Sequence, residues 1–188
     1  VKTNTPALGS LVGYVVAGDA WVESNEERNH YRISLASQSK ELVEDFADVL
    51  RKVGFDGKDG TPEPKIHYNE TKNVWQVNLA SKELYDWIHE LTRDEVRRIA
   101  FKWPREFIKA AFDSNGGVSE VRPGRLSVRY GVSAKWLVDL FREILEKERG
   151  YRTTMWRSSD VYYCAVNNQD QVHGFLGWVD PIYKKPKR

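Results

Sequence analysis

One helical segment occurs twice in this chain of 188 residues, and that duplication limits what the chain can fold into. Lys40-Glu41-Leu42-Val43-Glu44-Asp45-Phe46-Ala47-Asp48-Val49-Leu50 is matched 95 positions later by Lys135-Trp136-Leu137-Val138-Asp139-Leu140-Phe141-Arg142-Glu143-Ile144-Leu145. Lys, Leu-Val, an acid, Phe and a closing β-branched residue with Leu recur at the same places. In both copies the apolar positions fall at i, i+3 or i+4, and i+7, which predicts an amphipathic helix with an acidic outer face. Each copy also has a companion upstream. Thr5-Pro6-Ala7-Leu8 opens one helix, with Thr as N-cap and Pro in the first turn, and Trp103-Pro104-Arg105-Glu106 opens another.

Between these helices the period changes to two. Tyr31-Arg32-Ile33-Ser34-Leu35 and Leu126-Ser127-Val128-Arg129-Tyr130 alternate apolar and polar residues, as half-buried strands do. Lys65 to Tyr68 and Val74 to Leu79 form a second strand pair in the first copy. Tyr151 to Trp156 and Val161 to Val166 take those places in the second, around the turn Arg157-Ser158-Ser159-Asp160. The last helices are expected at Ser81 to Leu91 and at about Gln169 to Trp178. The pattern predicts an α+β fold with antiparallel sheets: two pseudo-symmetric αββαββα halves at 1–91 and 103–182, a linker at 92–102, and a basic tail at 183–188.

Composition narrows the function classes. The chain is 40% hydrophobic and 30% charged, with mean hydropathy −0.61, which excludes a membrane-embedded protein and a disordered one. No apolar run approaches the roughly 20 residues of a membrane span, and no secretory leader pattern is present. A single cysteine, Cys164, excludes an internal disulfide and a cysteine-built zinc site. These features predict an intracellular protein, in the cytoplasm of a prokaryote or in an organelle, without a membrane partner, and the internal duplication predicts a monomer with pseudo-two-fold symmetry. The net charge of +2 does not by itself announce nucleic acid. The histidines His30, His67, His89 and His173 have no metal-ligand spacing.

The upstream helix of each half carries small residues, Gly13 and Ala17 in one, Ala110 and Ser114 in the other. Glycine inside a helix costs about 1 kcal/mol relative to alanine. The paired pattern therefore points to two helix backbones approaching closer than the usual 8–10 Å or so. One helix is read as ending at Asp19 and the other at Asn115. A carboxylate among free carbonyls at the negative end of a helix is unfavourable unless a cation offsets it. Carboxylate and carbonyl oxygens are hard ligands suited to Mg²⁺ or Ca²⁺. Side-by-side packing would bring both ends to one place and build a metal site from both halves.

Val12 to Ala20 and Ile108 to Gly116 resemble the paired LAGLIDADG motifs of single-chain homing endonucleases, and the likeness extends over motif, strands, helix, strands and helix in both halves. Tyr14 stands where that family usually has Gly, and Ala20 where its final Gly belongs. The resemblance implies a four-stranded saddle in each half lying along the DNA major groove, and a divalent metal bound by the last acid of each motif. It also implies site-specific, Mg²⁺-dependent hydrolysis of double-stranded DNA, with Ca²⁺ binding in place of Mg²⁺ without supporting cleavage. Asp19 occupies the first acidic position and Asn115 the second, where the family generally has Asp or Glu. Asp19, the Asn115 carbonyl and backbone oxygens near Gly18 and Ser114 are the expected catalytic and metal-binding groups. Gln38 is the candidate assisting polar residue. An Asn contributes no charge, so three readings stay open: an endonuclease, intron-encoded like others of its kind, with one weakened centre; a substitution that traps an uncut DNA complex; and a non-cleaving nucleic-acid binder such as an intron RNA maturase.

Strand alternation then names a DNA face. If Ile33, Leu35, Trp75, Val77, Leu126, Val128 and Tyr130 pack inward, then Arg32, Ser34, Gln76, Asn78, Arg125, Ser127 and Arg129 point the other way, with Lys65 and His67 beside them. These side chains match base-edge chemistry. Arg28, Lys72, Arg122, Arg152 and Arg157, in loops or at hairpin tips, are the expected phosphate contacts.

Overall fold

Both halves follow the predicted order. A computed structural model describes residues 1–182. The first half contains α1 (Pro6–Val16), β1 (Trp21–Asn25), β2 (His30–Ser37), α2 (Lys40–Lys52), β3 (Lys65–Asn69), β4 (Val74–Ala80) and α3 (Lys82–Glu90). After α4 (Arg93–Lys102), the second half contains α5 (Pro104–Asn115), β5 (Gly116–Arg122), β6 (Arg125–Val132), α6 (Lys135–Arg149), β7 (Thr154–Ser158), β8 (Val161–Val166) and α7 (Gln169–Val179). Two four-stranded sheets result, ordered β1-β2-β4-β3 and β5-β6-β8-β7, with every pairing antiparallel. The duplicated topology is the structural form of the duplicated sequence. Among the described residues no helix is long and apolar enough to cross a membrane. The tail expected at 183–188 lies outside them.

Local chemistry sets the boundaries. The Thr5 hydroxyl accepts from the Ala7 N–H, and Pro6 occupies the first turn, where its missing N–H costs nothing. Ser39 and Ser81 cap α2 and α3 in the same way. Three boundaries differ from the sequence reading. Residues 92–102, expected as a linker, form a helix because Thr92 and Glu95 make a capping box and Val96, Ile99 and Ala100 find a core to enter. The strand expected from Tyr151 begins at Thr154, since Tyr151 is itself buried against Gly174. Finally, α1 stops at Val16 and leaves Asp19 beyond its end, whereas α5 runs to Asn115 as expected.

The repeated helices α2 and α6 lay their apolar faces on the sheets. Val43, Phe46 and Leu50 are buried in one half, Val138, Phe141 and Ile144 in the other. Their acids face outward in i,i+4 ion pairs such as Lys40–Glu44 and Lys135–Asp139. Asp45 is the exception: it accepts a 2.6 Å hydrogen bond from the Tyr14 hydroxyl, and Tyr14 packs on Phe46. Burial and the Asp45 charge push the Tyr14 phenol well above its ordinary range. The tyrosine in place of the family's glycine thus ties α1 to α2.

At the centre α1 and α5 run against each other. A Cβ added at Gly13 would lie 2.6 Å from the Phe107 carbonyl oxygen and 2.8 Å from Ala110 Cβ, so only glycine permits this approach. The duplicated small residues have the role that their spacing predicts.

Candidate nucleic-acid interface and metal centre

Where α1 and α5 end, the two halves meet at one backbone atom. The Ala17 carbonyl accepts a 2.7 Å hydrogen bond from the Tyr130 hydroxyl and a 3.4 Å one from Asn115 Nδ2. Ala17 belongs to the first half, and both donors belong to the second. Tyr130 is fully buried, stacked on Phe141 at 4.3 Å, and its phenol is pushed upward by burial and then by the Asp19 charge. Asp19, two residues past Ala17, is exposed. Gly18 sits against Ser114, whose Oγ lies only 2.6 Å from where a Gly18 Cβ would be. Residues 19 and 115, separated by about half of the chain, are thus drawn to one place.

Beside this junction lies a cavity of about 620 Å³, lined by Asp19, Gln38, Lys40, Glu41, Asp113 and Ser114 among others. Gln38 therefore stands near Asp19, as its position in sequence suggests. Asp113 is already engaged. Its carboxylate takes a 2.8 Å contact from Lys109 Nζ and a 3.0 Å hydrogen bond from the Ile182 N–H, and it is almost wholly buried. Ser114 Oγ is buried without a hydrogen-bond partner among the described residues. The donor set suits a hard divalent cation in kind, with one carboxylate, one amide and backbone carbonyls, all oxygen. It is thin in charge: among the described residues no three of His, Cys, Asp and Glu cluster as a metal site would want. The Ala17 carbonyl, next to Gly18, already accepts two hydrogen bonds.

The sheets sort the expected interface residues. In the first half Trp21, Ser34, Asn78 and Lys65 form one row across the strands, and Ala36, Gln76 and His67 form the next. Lys65 and His67 are exposed, while Gln76 and Asn78 are half-buried. Ser34 is on the expected face but has no accessible surface. Its hydroxyl donates to Asn78 Oδ1 at 2.7 Å, and Gln76 Nε2 donates to the same oxygen at 2.9 Å. The second half repeats the device, with Ser127, 1% exposed, donating to Asn167 Oδ1 at 2.8 Å. These serines hold their neighbours in place and are not available as contacts themselves.

Arg32 is drawn into a 3.1 Å ion pair with Glu23 across the strands. Arg28, Lys72, Arg122, Arg125, Arg129 and Arg152 are exposed as expected. Arg157 is not on the interface. It shares a face with Met155 and Tyr162, on the helix side of the sheet, and is held by Asp160 and the Tyr162 ring. Sequence reading missed Tyr130, Asn167 and the exposed aromatics Trp21 and Trp156. A tyrosine at a core strand position was the available signal for Tyr130, because a buried phenol needs a partner.

The chain shares its fold with solved two-half LAGLIDADG proteins, and residues 6–92 match the family model described as a LAGLIDADG-like domain. The solved structures include the homing endonuclease I-DmoI in complex with DNA and Mn, with TM-score 0.68 and 18% identity over 94% of this chain and 97% of that one. They include too the homing endonuclease I-WcaI bound to its DNA recognition sequence, with TM-score 0.66 and 12% identity over 99% of this chain and 85% of that one. In sequence the chain is 30% identical over 118 residues to the uncharacterized protein MJ0398 of Methanocaldococcus jannaschii, a span that covers 61% of this chain and 40% of the relative. The chain thus spans about two fifths of that relative's length.

Proposed function

We propose that this protein binds double-stranded DNA along the face formed by its two sheets and hydrolyses it with a divalent metal held at Asp19, the second centre being weakened by Asn115. The observation that supports this reading is the meeting of both helix ends at the Ala17 carbonyl, two residues before the exposed Asp19. Fixed by Tyr130 and Asn115, that carbonyl anchors the turn that presents Asp19. Asp19 and the Asn115 carbonyl would hold the ion. When bound, Mg²⁺ there supplies an activated water and charge stabilisation for the departing 3′ oxygen. Gln38 and Lys40, in the cavity beside Asp19, orient water and phosphate. Lys65, His67, Gln76, Asn78, Arg125 and Arg129 present donors and acceptors to base edges, and the loop cations Arg28, Lys72, Arg122 and Arg152 meet phosphates. I-DmoI, similar in fold, is known with DNA and Mn bound, which supports this choice of ligands.

The test is plasmid or duplex-library cleavage in Mg²⁺, scored separately from retention of DNA in Ca²⁺. Asp19→Asn is expected to abolish cutting and to spare binding, and undiminished cutting by that variant would refute the assignment. Asn115→Asp is expected to raise double-strand cleavage. A second reading, a binder of DNA or intron RNA that does not cut, is favoured by one observation: the Asn115 amide donates to a carbonyl, which no carboxylate can do. Retention of nucleic acid with no cutting in any divalent metal, by the parent and by Asn115→Asp, would establish it.

A further inference from the structure

The second sheet carries an aromatic ledge on the face of Ser127 and Arg129, whereas the paired rings of the first sheet, Tyr68 and Trp75, are on the side of the buried Val77 and Leu79. Trp156 and Tyr163 are directly opposite each other on β7 and β8, and Gly131 on β6 completes their row. Their rings stack at 5.1 Å with only 10° between planes. Tyr163 can lean over β6 because residue 131 has no side chain: a Cβ there would come within 2.4 Å of the ring. Trp156 remains 38% exposed, large for an apolar side chain that has a neighbour to stack on. By strand alternation this row is on the face of Ser127 and Arg129, opposite the buried Val128 and Tyr130. The Arg129 guanidinium lies 6.0 Å from the Trp156 ring. The adjoining row, from Gly117 through Arg129 and Ala165 to Thr154, puts no other long side chain between them.

An exposed apolar surface beside a guanidinium fits one feature of a major groove. The 5-methyl of thymine is the apolar group displayed there, and the O6 and N7 of guanine are the pair that arginine reads. We infer that the Trp156–Tyr163 ledge packs on a pyrimidine 5-methyl group while Arg129 contacts an adjacent guanine, so that this row specifies a thymine–guanine step. The inference rests on the reading of the sheets as a DNA interface. The polar row of His67, Gln76 and Ala36 in the first half has no such ledge, so the preference belongs to one half of the target only.

The experiment uses the full chain in Ca²⁺. Duplexes retained from a randomised pool are identified, and each thymine of the best one is replaced in turn by deoxyuridine, which removes the methyl and keeps every hydrogen-bonding group. For the parent protein, one or two replacements beside a guanine are expected to weaken binding about fourfold, the transfer value of one buried methyl. Trp156→Ala, at an exposed position outside the core, should bind the thymine and uracil duplexes equally. Gly131→Ala, which displaces Tyr163, should reduce the same difference. Methyl dependence that survives in Trp156→Ala, or none in the parent, overturns the ledge while leaving DNA binding intact. Failure to retain any duplex overturns both readings at once.

Discussion

Asn115 shows how one atom can change the purpose of a position. As an amide it donates to the Ala17 carbonyl and joins the two halves; as a carboxylate it would face that carbonyl with a like charge. Asn115→Asp is therefore expected to lower stability by about 1 kcal/mol in EDTA. Added Mg²⁺ should recover the loss, as linkage requires of an ion bound only by the folded state. Thermal unfolding with and without Mg²⁺ checks both parts. Gly13 has the opposite character, since its contribution is an absence. Gly13→Ala would press a methyl into the Phe107 carbonyl and Ala110, and the expected cost is about 1–3 kcal/mol, read by urea unfolding. The glycine's purpose was legible because it recurs as a small residue in both copies. The donors to Ala17 were not, because a hydrogen bond between residues 17 and 130 leaves no periodic trace in sequence.

Among the elements, α4 departs furthest from expectation. Its short amphipathic pattern between two prolific helices reads as a connection, yet it packs on α1, α5 and α6. Arg97 on α4 clasps Glu143 on α6, with Nη2 to Oε1 at 2.6 Å, and Lys147 Nζ adds a 2.6 Å contact. These hydrogen bonds hold the Glu143 carboxyl at about 2, below its ordinary 4.5. A carboxyl depressed in the folded state contributes stability that is complete above its unfolded value and is lost as pH falls toward the folded one. Arg97→Ala should therefore be less stable than the parent at neutral pH, and the gap should close between about pH 4.5 and 2. Because both side chains are partly exposed, the gap is expected to be small and to shrink in high salt. Melting curves across that range would show it. The strands were more legible than the helix joints. Alternation in β2 and β6 placed Ile33, Leu35, Val128 and Tyr130 inward correctly, but could not tell that Ser34 and Ser127, on the outer face, would be covered by their own neighbours.

For the molecule as a whole, the duplication dictated the architecture, and the two halves then diverged at the surface. The row of Ala36, Gln76 and His67 in one sheet answers the row of Gly131, Tyr163 and Trp156 in the other, a difference that only the pairing register could disclose. The core is continuous across both halves, so the chain should unfold as one unit. Cys164 offers a probe of this. It is buried on β8, and burial pushes its thiol up to about 12, so the native state holds almost no thiolate. Labelling by a thiol reagent should follow global unfolding, with a rate that rises with urea in step with loss of helical signal. Rapid labelling in native buffer would reveal that the second sheet opens independently.

The contact of Gly13 with Phe107 also bears on recombination. Neither half owns the whole junction: one provides the Ala17 carbonyl, the other the Tyr130 phenol and the Asn115 amide. A chimaera that borrows either half from another protein of this fold must import a matching helix seam along with its sheet, or the two sheets will sit at the wrong spacing.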